Sequence, residues 1–229
     1  MTKLRDITCI GFDADDTLWH NEIYYLKAER EFIALLEGVA ERDVIARAFA
    51  ATESRNMALL GYGAKAMTIS MIETALALHP GLAAATVAEI IAIGRAVIEM
   101  PIQMLPGVED TLRALADRGM RIVIITKGEL NEQTRKFRLS PLDPSLDYFV
   151  LPDKTVESYR RLFARERIDP SSFLMVGNSP KSDVLPPLEL GCYAAHIPFE
   201  TTWAHEDIPL PEHPCLIRLE RFGDILDFV

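Results

Sequence analysis

Three carboxylates, Asp13, Asp15 and Asp16, stand directly after the apolar run Ile7 to Phe12. Carboxylates can attack an electrophile, move protons or hold a hard cation, so a dense group of them at the end of an apolar run is a natural place to look for chemistry. Other reactive types recur in the same kind of setting. Thr126 ends the run RIVIIT (Arg121 to Thr126), Lys154 precedes an amphipathic stretch that begins near Val156, and Asn178 and Asp183 follow SFLMVG (Ser172 to Gly177). A hydroxyl and an ammonium supply hydrogen bonds and positive charge to an anion. Taken singly, Asp13 could cap a helix, Thr126 could end any strand and Lys154 could lie in water. Their shared placement gives them weight, because ligands of an open parallel sheet bind beyond the carboxyl ends of the strands.

Those placements require a particular set of elements. Ile7 to Phe12, Arg121 to Thr126, Ser172 to Gly177 and Cys192 to Ile197 are short apolar, β-branched runs that suit strands buried on both faces. Between the later runs, Val108, Leu112 and Leu115, then Val156, Tyr159, Leu162 and Phe163, recur at helical spacing. Strand alternating with helix predicts an α/β protein with a Rossmann-like, doubly wound parallel sheet. The stretch from Trp19 to Met100 differs. It shows helical spacing (Tyr25, Ala28, Phe32, Leu35, Val39; Val87, Ile90, Ile91, Gly94, Val97), and Thr86 with Glu89 has the spacing of a capping box. It reads as a helical insertion, which gives a core of residues 1–18 and 101–229 and a second domain of residues 19–100. Pro101 and Leu105-Pro106-Gly107 mark the return to the sheet, and Pro209 to Pro214 reads as a loop before a last short strand, Leu216 to Leu219.

Composition narrows the partners. The chain has 229 residues, 34 acidic and 24 basic, for a formal charge of −10, which argues against a nucleic-acid footprint. No stretch reads as a membrane span, and the first apolar run does not look like a secretory signal, so the expected compartment is the cytoplasm. Cys9, Cys192 and Cys215 are far apart in apolar segments and read as reduced thiols, and the five histidines lack paired-ligand spacing, so a zinc centre is not expected.

In this setting Asp13-Ala14-Asp15-Asp16-Thr17-Leu18, Thr126, Lys154 and Gly177-Asn178-Ser179-Pro180-Lys181-Ser182-Asp183 resemble, in order along nearly the whole chain, the four motifs of the haloacid dehalogenase (HAD) superfamily. The insertion is similar to that family's C1-type helical cap. The resemblance implies a magnesium-dependent phosphatase acting on a small phosphate ester. Asp13 would be the nucleophile and form an aspartyl phosphate, Asp15 would act as acid and then base, and Thr126 and Lys154 would donate to phosphoryl oxygens. Mg²⁺ would be held by Asp13, the Asp15 carbonyl and Asp183, with Asn178 reaching it through water.

Several positions depart from the pattern or extend it. Asp16 stands where many relatives have Gly and reads as a turn residue that tolerates unusual backbone angles. Lys127 replaces a small or amide residue and could touch substrate or point to water, and Asn178 replaces an Asp. In the insertion, Gly61-Tyr62-Gly63-Ala64-Lys65 is a turn signal whose Tyr62 and Lys65 are candidate contacts to the organic part of the substrate. The loop from Thr201 to Glu206, with Trp203 and His205, could reach the rim of the site. Alternative activities are 2-haloacid dehalogenation, phosphomutase chemistry, or a HAD-fold binding or regulatory module without turnover.

Overall fold

A computed structural model describes residue 4, residues 6–201, residue 206 and residues 208–229, so Trp203 and His205 lie outside the described residues. The described chain divides into two compact units. The first comprises residues up to Glu22, Ile102–Lys127 and Gln133–Val229, and the second Ile23–Pro101 with Gly128–Glu132.

The first unit is built on six parallel strands: β1 (Cys9–Phe12), β2 (Arg121–Lys127), β3 (Asp147–Leu151), β4 (Phe173–Gly177), β5 (Tyr193–His196) and β6 (Leu216–Arg218). Their order is β3-β2-β1-β4-β5-β6. The chain builds outward from β1 on one side and then returns to build from β4 on the other, so the topological switch point lies between β1 and β4. Alternation along each strand explains why the runs are apolar throughout. Ile10, Phe12, Ile122, Ile124, Leu174 and Val176 belong to one buried layer, and Cys9, Val123, Ile125, Phe173 and Met175 belong to the other.

The second unit holds four helices: α1 (Glu22–Leu35), whose first residue is the last of the first unit's opening segment, α2 (Arg42–Leu60), α3 (Ala64–Leu78) and α4 (Ala84–Ile98). Their buried faces, including Phe32, Phe49, Met67, Met71, Ile90 and Val97, form a core separate from the sheet. Back in the order of the sheet follow α5 (Val108–Asp117), α6 (Leu130–Leu139), α7 (Val156–Glu166) and α8 (Leu185–Glu189). Leu112 and Leu115 of α5 cover the first sheet layer, and Tyr159, Leu162 and Phe163 of α7 cover the second.

Three sequence expectations change. Strand β3 carried no clear signal, because only Leu151 of its five residues is buried and its pattern follows an exposed sheet edge. Thr86 and Glu89 do not form a capping box: α4 begins earlier, at Ala84, with Ala83 at its N-cap and no side-chain cap, so both residues lie inside the helix. The alanines ahead of Thr86 favour helix and extend it past the polar pair. The last strand ends at Arg218 rather than Leu219.

Close contact between α3 and α4 depends on Gly94. A Cβ there would lie 1.8 Å from Thr68 Oγ1 and 2.9 Å from Thr68 Cβ, and Thr68 Oγ1 is itself committed to the Ala64 carbonyl at 2.6 Å. Overpacking of this kind costs about 1–3 kcal/mol, more than the helix propensity that alanine returns. Gly94→Ala is expected to lower the free energy of urea unfolding by about 1–2 kcal/mol, and adding Thr68→Ala is expected to recover most of it. An unchanged midpoint in the single variant would contradict this packing account.

Candidate active site

The switch point is where the reactive residues of the first unit meet. Asp13 follows β1 directly, and its N–H donates to the Val176 carbonyl at 2.9 Å, which ties it to β4. Phe12 is in register with Ile124 and with Val176, so Thr126 near the end of β2 and Asn178 just past β4 are both level with Ala14. After Asp13 the chain curls tightly: the N–H groups of Thr17, Leu18 and Trp19 all donate to the Ala14 carbonyl. Asp16 takes φ 59°, in the left-handed region, as its reading as a turn residue requires. Its carboxylate accepts from the N–H groups of Asn21 and Glu22, the first turn of α1, and burial pushes its carboxyl up to about 7.

Lys154 arrives from the loop before α7. Thr155 caps that helix, accepting from Ser158 N–H at 3.2 Å while its own N–H donates to Ser158 Oγ at 2.8 Å, and this reciprocal pair fixes where the loop ends. Asp183 arrives from a π-type turn, Pro180–Val184, that follows β4. Its carboxylate folds back over Gly177, where a Cβ would come within 2.3 Å of it, and accepts from Ser179 N–H at 3.0 Å.

These three residues form a buried triad. The Lys154 ammonium donates to Asp13 Oδ1 and, at 2.7 Å, to Asp183 Oδ1. Thr17 Oγ1 donates to the other Asp13 oxygen at 3.0 Å, shares that hydrogen with Asn178 Oδ1 at 3.2 Å, and accepts from Asn178 N–H. Burial raises the Asp13 carboxyl above the usual carboxylate range and the neighbouring Asp183 raises it further, against the pull of Lys154. Asp183 is raised by burial too, and Lys154 opposes the shift. Burial works against the charge on Lys154, but the two carboxylates outweigh it and hold the amine protonated.

Asp15 turns elsewhere. Its carboxylate accepts from Trp19 Nε1 at 2.8 Å, from Gln133 Nε2 at 2.8 Å and from Lys136 Nζ at 2.9 and 3.0 Å. Thr126 is buried near the end of β2. Lys127 neither reaches open water nor stands alone: its ammonium pairs with Glu206 and donates to Ser182 Oγ at 3.0 Å. Glu206 is held below the usual carboxylate range, chiefly by Lys127 acting against burial. Tyr62, on the turn between α2 and α3, and Lys65, in the first turn of α3, belong to the second unit, where Lys65 pairs with Glu129 at 3.2 Å.

The donor set suits a hard divalent cation. Among the described residues no group of three or more His, Cys, Asp or Glu side chains is placed to hold a metal. The available set is instead the carboxylates of Asp13 and Asp183 with the nearby backbone carbonyl of Asp15 and the Asn178 amide, all hard oxygens. Two buried carboxylates share one ammonium, which leaves one negative charge uncompensated, and burial, the largest cause, raises both acids. A cation would relieve that imbalance.

A doubly wound parallel sheet with paired carboxylates and a buried lysine at its switch point defines an α/β enzyme that works beyond the ends of its strands. The family can be stated directly, because residues 7–191 match the model for haloacid dehalogenase-like hydrolases. The chain belongs to that family. A haloacid dehalogenase-like family hydrolase from Xanthomonas campestris is 33% identical with a TM-score of 0.86, over 98% of this chain and 93% of that one. A protein described as a predicted phosphoglycolate phosphatase from Haemophilus somnus 129pt is 18% identical (TM-score 0.62, 98% of each chain). YfnB from Bacillus subtilis, in a magnesium-bound form, is 16% identical (TM-score 0.63, 97% of this chain and 98% of that one). Matches below 25% identity also include proteins described as dehalogenases and as a phosphomutase, so at that distance the likeness shows the fold. No protein of curated function matches the chain. Among the described residues no helix is long and apolar enough to cross a membrane.

Sequence reasoning did not single out Gln133 or Lys136, and it named Ser179 and Ser182 only within the fourth motif and Glu206 only as the end of the loop that could reach the rim of the site. Gln133 and Lys136 lie three apart on α6, the spacing of any helix face, and nothing in their types separates them from a solvated pair.

The triad has a direct consequence for stability. Lys154→Met leaves Asp13 and Asp183 buried beside each other without a cation, which is expected to lower unfolding free energy by about 3–5 kcal/mol at pH 8 in the absence of divalent ions. At pH 5 the two raised carboxyls take up protons and become neutral, so the loss there should be smaller. Equal losses at both pH values in urea titrations would contradict the assignment of buried charge.

Proposed function

We propose that this hydrolase is a magnesium-dependent phosphatase of a small phosphorylated metabolite, working through an aspartyl phosphate on Asp13. The observation that carries the reading is the buried triad of Asp13, Lys154 and Asp183 at the switch point, with Asp15 two residues from Asp13 and the Thr126 hydroxyl on the adjacent strand. Asp13, the Asp15 carbonyl and Asp183 would hold the cation, with Asn178 contributing through water. When bound, magnesium would neutralise the repulsion between a carboxylate nucleophile and an anionic ester.

The chain's own residues account for the remaining steps. An oxygen of Asp13 bonds to phosphorus as the ester P–O bond breaks, and Asp15 gives a proton to the departing alkoxide. Asp15 then takes a proton from water as the water oxygen bonds to phosphorus, and the Asp13 carboxylate is released with inorganic phosphate. Lys154 and Thr126 supply donors for the phosphoryl oxygens. Lys127, close by on β2, is a further candidate contact, although its ammonium is already paired with Glu206. The helical unit is read as a C1-type cap that selects the leaving group, with Tyr62 and Lys65 as contacts to the organic part of the substrate. Three free cysteines suit a reducing compartment, and the reading puts the enzyme in the cytoplasm.

Asp13→Asn is expected to reduce magnesium-dependent phosphate release from an aryl phosphate by about a thousandfold or more, with circular dichroism unchanged. Substantial residual turnover would contradict the nucleophile, and metal-free halide release from a 2-haloacid would replace the reading with carbon–halogen hydrolysis. Gly177→Ala pushes on the Asp183 carboxylate and, since a misplacement of about 1 Å can cost about a hundredfold, should lower kcat by that order. Wild-type kcat in that variant would mean that Asp183 need not sit where it does.

A further inference from the structure

Asp15 is held more tightly than a lone acid near a sheet end needs to be. Its side chain is 20% exposed, yet each of its oxygens accepts twice: Oδ1 from Trp19 and Lys136, Oδ2 from Gln133 and Lys136. A carboxylate offers about four lone-pair sites, so a proton taken up on one oxygen displaces one of these contacts and leaves the others to hold the side chain in place.

The groups that hold Asp15 are themselves held. Trp19, Gln133 and Lys136 are all nearly fully buried. Lys136 also donates to Asn21 Oδ1 at 2.7 Å. The Gln133 amide donates to the Lys127 carbonyl at 3.2 Å, so one side-chain amide links the end of β2 to Asp15. The Gln133 backbone carbonyl accepts from Tyr148 OH at 2.9 Å, and Tyr148 stacks on Phe137 of α6 with ring centroids 4.4 Å apart. Gln133 and Lys136 are one helical step of three apart, which turns both toward the same carboxylate.

A purely structural reading accounts poorly for Lys136. Desolvating an ammonium and a carboxylate commonly costs as much as their attraction returns, so apolar side chains would fasten α6 at least as well. What the ionic arrangement adds is a fixed orientation for one particular carboxylate.

We propose that Lys136, supported by Gln133 and Trp19, is a positioning residue that sets the orientation of Asp15 for proton transfer. The proposal rests on the phosphatase reading of the site, in which Asp15 protonates the leaving alkoxide and later deprotonates water. Lys136 touches neither reacting atom in this scheme; it acts through Asp15 alone, and its removal reduces the rate of the proton-transfer steps without weakening substrate binding.

That dependence can be read from a double-mutant cycle on magnesium-loaded enzyme hydrolysing phenyl phosphate, whose leaving group needs a proton. Lys136→Met is expected to lower kcat by about ten- to a hundredfold with KM changed less than about twofold. The Asp15→Asn/Lys136→Met double variant should be no slower than Asp15→Asn, because a clamp with nothing to hold has no further effect. Gln133→Met and Trp19→Phe should show the same non-additivity with smaller single losses, and they decide the matter should Lys136→Met fail to fold. Losses that multiply in the double variants, or a Lys136→Met defect confined to KM, would overturn the clamp. Failure of the phosphatase reading looks different: wild-type enzyme would release no phosphate, or Asp13→Asn would retain activity, whatever the cycle gives.

Discussion

One ammonium between two carboxylates organises the rest of this molecule. Asp13 and Asp183 follow different strands and are both buried, where an ionised carboxylate is costly unless something of opposite charge meets it. Lys154 meets both, and the three stay together only if the ends of β1 and β4 and the start of α7 are held in fixed relation. The sheet therefore does more than bury apolar surface. It brings together like charges that would separate in an unfolded chain.

The supporting features are local and small. Gly177 leaves room for the Asp183 carboxylate to fold back over the strand end. The Thr155 and Ser158 capping pair stops the loop one residue after Lys154, and Tyr159 OH donates to the Ser182 carbonyl at 3.2 Å, tying α7 to the turn that carries Asp183. Thr17 bonds both to Asp13 and to Asn178, so the neutral amide at residue 178 keeps a structural task whatever it does for a metal. Lys127 at the end of β2 comes with its own counter-ion, Glu206, and the pair adds no net charge.

The central strands and the acidic cluster are legible in the sequence because burial on both faces leaves a continuous apolar run, and because reactive residues placed after such runs stand out. The order of Asp13, Thr126, Lys154 and Asp183 along the chain is likewise readable, since each follows its own element. What could not be read is pairing across distance. Nothing near Lys136 announces that it meets Asp15, 121 residues away, and nothing near Glu206 announces Lys127. Edge strand β3 escaped notice for the opposite reason, since a half-exposed strand has no run to reveal it. The Thr86 and Glu89 pair misled because a capping box is a local pattern, and helix-favouring alanines upstream override it.

The central claim is that Asp13, made competent by its buried neighbours, takes up phosphorus during turnover. Acid quenching of the magnesium-loaded enzyme during hydrolysis of an aryl phosphate, followed by mass spectrometry of its peptides, examines this directly. The account predicts a phosphoryl adduct on the peptide containing Asp13 that disappears when substrate is exhausted. Steady phosphate release with the adduct on a different residue, or with oxygen from labelled water entering the Asp13 carboxylate rather than the phosphate, would contradict it.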